Sequence, residues 1–209
     1  MKGLFVTFEG PDGSGKTTQL HKAADALRKL GYEVVESREP GGTELAEKVR
    51  AIVLDASLPL AQQTEVLLYL AARSEHVDKV LRPALTAGKI VLCDRFCDST
   101  LVYQGLVKGL SQEQLAQLRR LNTYACGELF PDLTLLLDGR TEVLAERRSL
   151  RGVSDRYEEK GLDFQRQVRE GFLTLAVLEP QRIKIIDAEQ NAEAVETDVL
   201  QAIREVLAE

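Results

Sequence analysis

The sequence predicts an α/β fold in which a five-stranded parallel sheet carries helices on both faces. Short, nearly continuous apolar runs, such as residues 4–8 and 133–137, alternate with longer amphipathic segments. Such runs are typical of parallel strands that are covered on both sides. A glycine-rich stretch, residues 10–17, joins the first run to the first amphipathic segment. Ligands bind to such sheets at the carboxyl ends of strands, and this stretch lies at one of those ends.

The remaining elements follow in order along the chain. Strands are predicted at residues 4–8, 33–36, 89–94, 133–137 and 183–186. The first helix ends at Gly31, in the position favoured for a left-handed cap, and Thr43 can cap the second. Further helices are predicted at 62–87, where Pro83 kinks or divides the helix, from about 99, and at 111–126, 141–151, 162–178 and around 195–206. With 209 residues, no repeat and no linker, residues 1–209 are predicted to be a single domain.

The glycine-rich stretch matches the phosphate-binding pattern G-x-x-x-x-G-K-[ST]. Glycines tolerate positive φ, so the backbone N–H groups can turn inward toward a polyphosphate. Lys16 would reach the β- and γ-phosphates, and Thr17 would offer its hydroxyl to Mg²⁺. The candidate residues for a nucleoside triphosphate are Gly10, Pro11, Asp12, Gly13, Ser14, Gly15, Lys16, Thr17 and Thr18. The alternative is a glycine-rich turn between a strand and a helix.

Charged residues at strand ends indicate a second substrate. Asp12 would be repelled by polyphosphate, so it should point at another group such as a hydroxyl or a hydrated metal. Asp94, Asp138 and Asp187 each end a predicted strand, where an acid can also be a simple turn residue. Asp94 is followed by Arg95, and this pair could organise hydrated Mg²⁺ and a phosphate together.

Composition argues against several other classes of protein. The net charge is −6 and the arginines are scattered, so no basic stripe is present for a nucleic-acid polymer. No apolar run is long enough to cross a membrane and no signal peptide is evident, which predicts a cytoplasmic protein. The three cysteines lack metal-finger spacing and are expected to be reduced thiols without zinc. With only His21 and His76, a nucleophile–histidine mechanism is not expected.

Several motifs occur together in an order that resembles the thymidylate kinases. They are residues 8–19 around the loop, Arg-Glu-Pro-Gly-Gly-Thr at 38–43, and Asp94-Arg95-Phe96 through Ser99 to residues 103–105. Residues 151–156 resemble the lid of the bacterial type. The likeness spans nearly the whole chain. It implies the P-loop kinase fold and a homodimer that transfers a phosphoryl group from MgATP to dTMP, giving dTDP.

The resemblance also implies a role for each residue of the acceptor site. It places Arg50 and Arg95 on the acceptor phosphate, Asp12 on the 3′-hydroxyl, Tyr69 against the thymine face, Arg73 on the carbonyl O4, Thr100 and Gln104 along the base edge, and Tyr103 against C2′. Arg38 either joins this site or holds its own turn in shape. Two positions depart from the family pattern, in which phenylalanine is common at Tyr69 and tyrosine at Phe96. The expected catalytic residues are Lys16, Asp94, Arg95 and Arg151, and the expected magnesium ligands are Thr17 and Asp94.

Residues 147–160 are predicted to form a mobile, arginine-rich lid. They include Arg147, Arg148, Arg151 and Arg156, with almost no apolar residue to pack. The variable loop positions 11–14 supply no cation, so an arginine that stabilises the transition state must come from another segment. Arg151 is expected in that role, with Arg147, Arg148 and Arg156 as candidates for contacts with the donor phosphates. The alternative is a solvated charged loop.

Other functions remain open at the level of sequence. One is another nucleoside or nucleotide kinase of the same fold. Against it, Arg50 and Arg95 favour a monophosphate acceptor, and the donor-only Arg73 suits O4 of thymine better than the amine of cytosine. Another is a P-loop switch protein, but a guanine-reading N-K-x-D string is absent. The apolar face of a helix around Leu67 and Leu70 is a candidate dimer interface.

Overall fold

The computed structural model describes residues 3–149 and 160–208. A parallel sheet of five strands in the order β2-β3-β1-β4-β5 carries helices on both faces, which confirms the predicted α/β fold. The strands are β1 (Leu4–Glu9), β2 (Val34–Arg38), β3 (Ile90–Asp94), β4 (Leu133–Asp138) and β5 (Ile183–Asp187). The helices are α1 (Lys16–Lys29), α2 (Glu44–Leu54), α3 (Gln62–His76), α4 (Arg82–Thr86), α5 (Cys97–Thr100), α6 (Gln112–Cys126), α7 (Thr141–Ser149), α8 (Gly161–Leu178) and α9 (Ala192–Leu207).

Strand β1 lies at the centre of the sheet, between β3 and β4. All of its residues are buried, as expected for a parallel strand covered on both faces. Phe8 pairs with Asp94 of β3, and Asp94 pairs in turn with Arg38 of β2. The carboxyl ends of these three strands therefore meet at one edge of the sheet. The crevice beside a central strand at this edge is where doubly wound sheets bind ligands.

Side-chain alternation along β1 divides the core between the two faces of the sheet. Val6 and Phe8 pack with Leu20 and Leu27 of α1 and Val199 of α9. Phe5 points to the opposite face, into a cluster that includes buried residues of the α3–α4 region and of α6. Residues of α8 and of the segment after α5 form a third cluster on that side. The loop between β1 and α1 is therefore anchored by a core on each face.

Local signals for the helix ends are confirmed by the structure. The Thr43 side chain accepts a hydrogen bond from Ala46 N at 3.1 Å, and Ser111 forms a capping box with Gln114 at the start of α6. The long helical region divides near Pro83, as predicted, because a π-helical segment at Val77–Leu81 joins α3 to α4. Pro83 lies in the first turn of α4, directly after the π-helical segment, where the helical hydrogen-bond pattern changes.

Some boundaries differ from the sequence-based expectation. Strand β2 begins one residue later than predicted and runs on to Arg38, because it pairs with β3 as far as Asp94. The helix expected from about residue 99 begins at Cys97 and continues as a π-helical segment, Leu101–Leu106. Leu70 was expected on an exposed face with Leu67, but it is only 6% exposed, whereas Leu67 is 59% exposed. The helix α3 turns Leu70 inward, so Leu70 cannot form part of an outer interface.

Two further observations bear on the classes of protein considered above. Among the described residues, no helix is both long enough and apolar enough to cross a membrane. Cys93, Cys97 and Cys126 are buried and unpaired by disulfides. Burial raises the pKa of the Cys93 thiol, which keeps it protonated and unreactive.

Candidate active site

A cavity of about 690 Å³ opens at the carboxyl ends of β1, β2 and β3. Its volume is typical of a site for a small molecule. The loop after β1, the turn after β2, helix α3 and the α5 region form its walls. The residues that line it include Asp12, Lys16, Thr17, Arg38, Arg50, Tyr69, Arg73, Asp94, Arg95, Phe96, Thr100, Tyr103 and Gln104. The structure thus brings together most of the residues that the sequence suggested.

The glycine-rich loop has the backbone conformation that its sequence predicts. Gly10, Gly13 and Gly15 have φ angles of 138°, 90° and 88°, a region that favours glycine. A Cβ atom on Gly13 would collide with the carbonyl oxygen of Leu144 in α7. The loop therefore needs glycine at this position both for its conformation and for its close contact with α7.

Lys16 folds back over the loop and donates hydrogen bonds to the carbonyl oxygens of Gly10 and Pro11, at 3.1 and 2.9 Å. Burial lowers the pKa of Lys16 to about 8, and the charge of Arg95 acts in the same direction. The acids around the site partly offset this effect. An anionic ligand at this position would favour the charged form of the ammonium group and replace the two carbonyl oxygens.

Thr17 and Asp94 meet at the mouth of the loop. The Thr17 hydroxyl donates a hydrogen bond to Asp94 Oδ2 at 2.5 Å, across the gap between α1 and β3. A hydroxyl and a carboxylate in contact are both hard oxygen ligands, which suit Mg²⁺. The spatial contact between the two expected magnesium ligands follows from the pairing of β1 with β3.

Arg95 lies between the loop and the rest of the cavity. It has a φ of 69°, an uncommon value for a residue with a side chain. Its guanidinium donates to Asp12 Oδ1 at 2.5 Å, to Gly10 O at 3.1 Å and to Ser99 Oγ at 3.2 Å. Burial alone would raise the pKa of Asp12, but the charges of Arg95 and Lys16 outweigh it and lower that pKa. Asp12 is therefore an ionised partner of Arg95 in this structure.

Arg73 forms the floor of the opposite end of the cavity and is 2% exposed. Its Nε donates to Glu39 Oε2 at 2.7 Å. One terminal nitrogen, Nη1, donates to Thr100 Oγ1 and Asn122 Oδ1, at 3.0 and 2.7 Å. The other, Nη2, donates to Phe96 O at 3.0 Å. A guanidinium has five N–H donors, so one hydrogen on Nη2 is left over by these four bonds within the described part of the chain.

The other acceptor-side residues surround these two arginines. Arg50 of α2 donates to Pro40 O at 2.9 Å, and exposed Arg38 pairs with Glu47 at 2.9 Å. Tyr103 is buried, with the Arg95 guanidinium 5.3 Å from its ring centre. Gln104 donates to buried Glu65 at 3.0 Å. The contact of Arg38 with Glu47 next to the Gly41–Gly42 turn agrees with its alternative role of holding this turn in shape.

The geometry agrees with a comparison to known proteins. The sequence model of the thymidylate kinase family matches residues 8–199. The chain belongs to the thymidylate kinase family. The thymidylate kinase of Geobacter sulfurreducens is 49% identical over 204 residues, covering 94% of each chain. That of Exiguobacterium sibiricum is 46% identical over 200 residues, covering 95% of this chain and 93% of its own. The crystal structure of thymidylate kinase from Ehrlichia chaffeensis superposes with a TM-score of 0.78 at 34% identity, covering 97% of this chain and 99% of its own.

The arginines of the predicted lid in this thymidylate kinase family member lie partly within the described residues. Arg147 donates to the carbonyl oxygens of Ala188 and Glu189, at 2.5 and 3.2 Å, so it faces the segment after β5. The Arg148 Cβ lies beside Gly13, and the charge of Arg148 helps to lower the pKa of Asp12. Arg151 and Arg156 lie outside the described residues.

The strand-end acids divide into two groups in the structure. Asp138 receives two hydrogen bonds from Arg169 of α8, at 2.7 and 2.8 Å, and Asp187 accepts from the backbone N–H of Glu189 at 2.9 Å. Asp187 is therefore a turn residue, which was the simpler interpretation for such acids, whereas Asp138 forms an ion pair with a helix that is distant along the chain. Only Asp94 reaches the phosphate loop.

Glu9, at the end of β1, is a site residue that the sequence reasoning did not single out. Its Oε1 accepts from the N–H groups of Phe96 and Ser99, at 2.8 and 3.1 Å, and its Oε2 accepts from Ser99 Oγ at 2.6 Å. These bonds hold the turn that carries Arg95. The available signal was an acid at the end of a buried strand, the same feature that drew attention to Asp94.

Phe96 also differs in position from a base-stacking residue. Its ring is fully buried and packs edge-on against Phe5, with ring centres 5.0 Å apart. The Arg73 guanidinium lies 5.2 Å above the centre of the same ring. The hydroxyl of a tyrosine at this position is therefore not needed to fill the core, which accounts for the tolerance of phenylalanine here.

Proposed function

We propose that this protein transfers the γ-phosphoryl group of ATP to dTMP and releases dTDP and ADP. The observation that carries this proposal is a single cavity with two unlike ends. The phosphate loop with Lys16 lies at one end, and Arg73 with a remaining N–H donor lies at the other. The first suits a triphosphate, and the second suits a base with a carbonyl acceptor. Membership of the thymidylate kinase family supports dTMP as that second ligand.

Two arginines on the cavity wall would bind the acceptor phosphate. Arg95 bonds Asp12 and Arg50 bonds Pro40 O in the structure, so both guanidinium groups already face this part of the cavity. A dianionic phosphate would attract both through charge-assisted hydrogen bonds. Once Arg95 turns to the phosphate, Asp12 can accept a hydrogen bond from the 3′-hydroxyl of the sugar. This exchange explains how an acid can lie within a phosphate loop.

The transfer itself relies on positioning and on charge stabilisation. Lys16 would exchange the carbonyl oxygens of Gly10 and Pro11 for the β- and γ-phosphates. Arg95 would hold the attacking phosphate in line. Arg151 would approach the transferring group, with Arg147 and Arg148 on the donor phosphates, when the lid of residues 147–160 closes and excludes water.

Magnesium would be held by Thr17 and Asp94. The two oxygen ligands are in contact, and the described residues contain no cluster of three acidic, histidine or cysteine side chains. That arrangement suits an ion that takes its remaining ligands from phosphates and water. Mg²⁺, when bound, would neutralise part of the charge that develops on the phosphates.

The base would lie between Tyr69 and the arginine floor of the cavity. Arg73 would donate its remaining N–H to O4 of thymine, and Thr100 and Gln104 would line the base edge. Tyr103 would lie against C2′ and leave little room for a ribose hydroxyl, which favours deoxyribose. Arg38 would act on this site indirectly, through the turn it shares with Glu47.

We also propose that residues 1–209 form one kinase domain that functions as a cytoplasmic homodimer. The interface would include exposed Leu67, with Leu45 and Ile52 of α2 and Leu121 and Tyr124 of α6, which are all exposed. Buried, reduced cysteines agree with a cytoplasmic location. Sedimentation of the wild-type protein and of Leu67→Glu tests the dimer, because a charge at a contact of two apolar faces should shift the protein toward monomer.

A panel of acceptors tests the proposed reaction. ADP release would be measured with MgATP and each of dTMP, dUMP, dCMP, dGMP, ribothymidine monophosphate and thymidine. The proposal requires dTMP to be the best acceptor. A preference for another monophosphate or for thymidine would favour the alternative of a different nucleotide or nucleoside kinase. Slow ATP hydrolysis with no effect of any acceptor would favour a P-loop switch.

A further inference from the structure

A chain of hydrogen bonds, partly buried at Ser37 and buried beyond it, links strand β2 to the guanidinium group of Arg73. Ser37 Oγ and His76 Nε2 are 2.6 Å apart, and His76 Nδ1 and Glu39 Oε1 are 2.9 Å apart. Glu39 Oε2 then accepts from Arg73 Nε at 2.7 Å. His76, Glu39 and Arg73 are all buried, and His76 has no role in the reaction described above.

The chemistry of these groups assigns the direction of the bond between His76 and Glu39. A carboxylate paired with an arginine accepts hydrogen bonds only, so His76 Nδ1 must carry the hydrogen. In the neutral imidazole, Nε2 then accepts from the Ser37 hydroxyl. Each oxygen of Glu39 thus has one donor, one from His76 and one from Arg73.

The Gly41–Gly42 turn, which is not part of this series of hydrogen bonds, limits the position of His76. Gly42 has a φ of 84°, and a Cβ atom built there would lie 2.6 Å from His76 Cδ2 and 2.7 Å from His76 Nε2. The Gly41–Gly42 turn therefore packs directly over the imidazole ring. Because the ring cannot swing outward past this turn, its Nδ1–H group stays directed at Glu39.

The orientation of Glu39 in turn limits how Arg73 can lie. With His76 in place, Glu39 offers Arg73 one oxygen, at Nε, and leaves both terminal nitrogens to Thr100, Asn122 and Phe96. Without the His76 donor, Glu39 Oε1 would be buried and unsatisfied, which is unfavourable. The carboxylate could recover a partner by taking a second N–H of Arg73 as a bidentate pair. That change would shift the guanidinium group, which lines the cavity, and redirect its remaining N–H.

We propose that His76 is a positioning residue that sets the base selectivity of this site. By fixing Glu39, it holds the remaining N–H of Arg73 in the direction that meets a carbonyl at position 4 of a pyrimidine and opposes an amine there. The inference rests on the proposed function, because it requires Arg73 to contact the base.

A matched pair of substitutions separates this role from simple packing. The side-chain amide of His76→Asn lies where Nδ1 lies and can still donate to Glu39. The longer side chain of His76→Gln puts its amide near the position of Nε2, toward Ser37. Steady-state kcat and KM for dTMP, dCMP and ATP would be measured for both variants, with Arg73→Ala as the positive control.

His76→Gln should raise the KM for dTMP about tenfold and narrow the preference for dTMP over dCMP by a similar factor, the scale of one base contact. The KM for ATP should not change. His76→Asn should restore most of the wild-type preference. If His76→Gln does not fold, Glu39→Gln provides an independent check. The amide NH₂ that it introduces would face a donor of Arg73 or of His76, so this variant should also narrow the preference for dTMP over dCMP.

The possible outcomes separate the role of His76 from the assignment of the base site. Wild-type selectivity in His76→Gln, or in Glu39→Gln, would overturn the role of His76. Equal losses in His76→Asn and His76→Gln would also overturn it, since packing alone would explain them. If wild-type protein showed no preference for dTMP, or if Arg73→Ala left the preference unchanged, the assignment of the base site would fail instead.

Discussion

The two ends of the cavity differ in how their charged groups are satisfied. At the base end, Arg73 is bonded to residues that belong to the β2–α2 turn, α5 and its N-terminal flank, and α6. At the phosphate end, Lys16 bonds its own loop, Arg95 bonds Asp12, and Thr17 bonds Asp94. Under the proposed function, the base end is already arranged for its ligand, whereas the groups at the phosphate end would exchange protein partners for substrate.

The difference has a physical cause in the charge of the ligands. Thymine is neutral, so an arginine that is proposed to bind it would need a permanent counter-charge within the protein, and Glu39 is placed to supply one. The phosphates would bring several negative charges of their own, so the cations proposed to bind them need no permanent counter-charge: Lys16 is held by carbonyl oxygens, and Arg95 by a carbonyl oxygen, the Ser99 hydroxyl and Asp12. The proposed function would thus combine a rigid end and an exchangeable end in one cavity.

The largest expected effect concerns Arg151, which lies outside the described residues and is proposed to act on the transferring phosphoryl group. Arg151→Ala should lower kcat by about 10³-fold or more, the scale of an arginine that stabilises transferring phosphate. The KM for dTMP should change little, because an arginine that acts on the transferring phosphoryl group would not contact the base. Steady-state kinetics beside Arg147→Ala and Arg148→Ala provide matched controls. Wild-type kcat in all three variants would remove the lid from the chemistry.

Lys16→Ala should lower kcat by about 10²–10³-fold, as expected for loss of one charged donor to a reacting oxygen. The protein should remain folded, because within the described residues the hydrogen bonds of Lys16 go to two loop carbonyl oxygens, and Asp12 keeps Arg95 as its partner when Lys16 is removed. Circular dichroism and a thermal melt check the fold, and Lys16→Arg keeps the charge as a control. Near-normal turnover by Lys16→Ala would mean that this loop is not the donor site.

Arg73→Ala should weaken the use of dTMP by about 1–3 kcal/mol in kcat/KM. It should also destabilise the protein, because Glu39 would stay buried without its arginine. Urea unfolding of Arg73→Ala beside Arg50→Ala measures this contrast, since Arg50 is only half-buried. Equal stability of the two variants would contradict the view that the base end is rigidly built.

Glu9 lies beneath the junction of the two ends and should make stability depend on pH. Burial raises its pKa to about 7, and Asp98 adds to this effect against the opposing charge of Arg95. The folded state then binds more protons than the unfolded state between about pH 4.5 and 7. The stabilising contribution of Glu9 is present below this window and is lost as the pH rises through 7.

Glu9→Gln removes this titration and keeps an acceptor in place. Urea unfolding would be measured at pH 5.5 and at pH 8. The change in unfolding free energy caused by the substitution should be more stabilising at pH 8 than at pH 5.5, by about 1–2 kcal/mol. If the difference in unfolding free energy between wild type and Glu9→Gln is the same at pH 5.5 and at pH 8, then Glu9 does not titrate in this range.

The smallest effect concerns proton uptake when ATP binds. Lys16, with a pKa of about 8, is partly neutral at pH 8.5 in the ligand-free state, and triphosphate should return it to the charged form. Binding should therefore take up a fraction of one proton at pH 8.5 and almost none at pH 6.5. Calorimetry in buffers of different ionisation enthalpy measures this uptake, and Lys16→Ala should abolish it. Uptake that persists in Lys16→Ala must come from another group.

Features that depend on a few neighbouring residues were predictable from the sequence. The five predicted strands, the glycines of the loop, the Thr43 cap and the division near Pro83 all appear in the structure. Their causes are local, since strand burial, positive φ and helix capping depend on the residue types within a short window. The function was also predictable, because several motifs that resemble those of thymidylate kinases occur in the same order along the chain.

Contacts between distant segments were decided only by the tertiary structure. The sequence indicated that Arg73 points toward a base, but its four protein partners, the Nδ1–H bond of His76 and the position of Glu9 under the Arg95 turn depend on how α3, α5 and α6 pack beside the sheet. The same packing turns Leu70 inward and Leu67 outward on one helix. A residue type shows which bonds a side chain can make. Which partners lie within reach depends on long-range packing, and no short stretch of sequence contains that information.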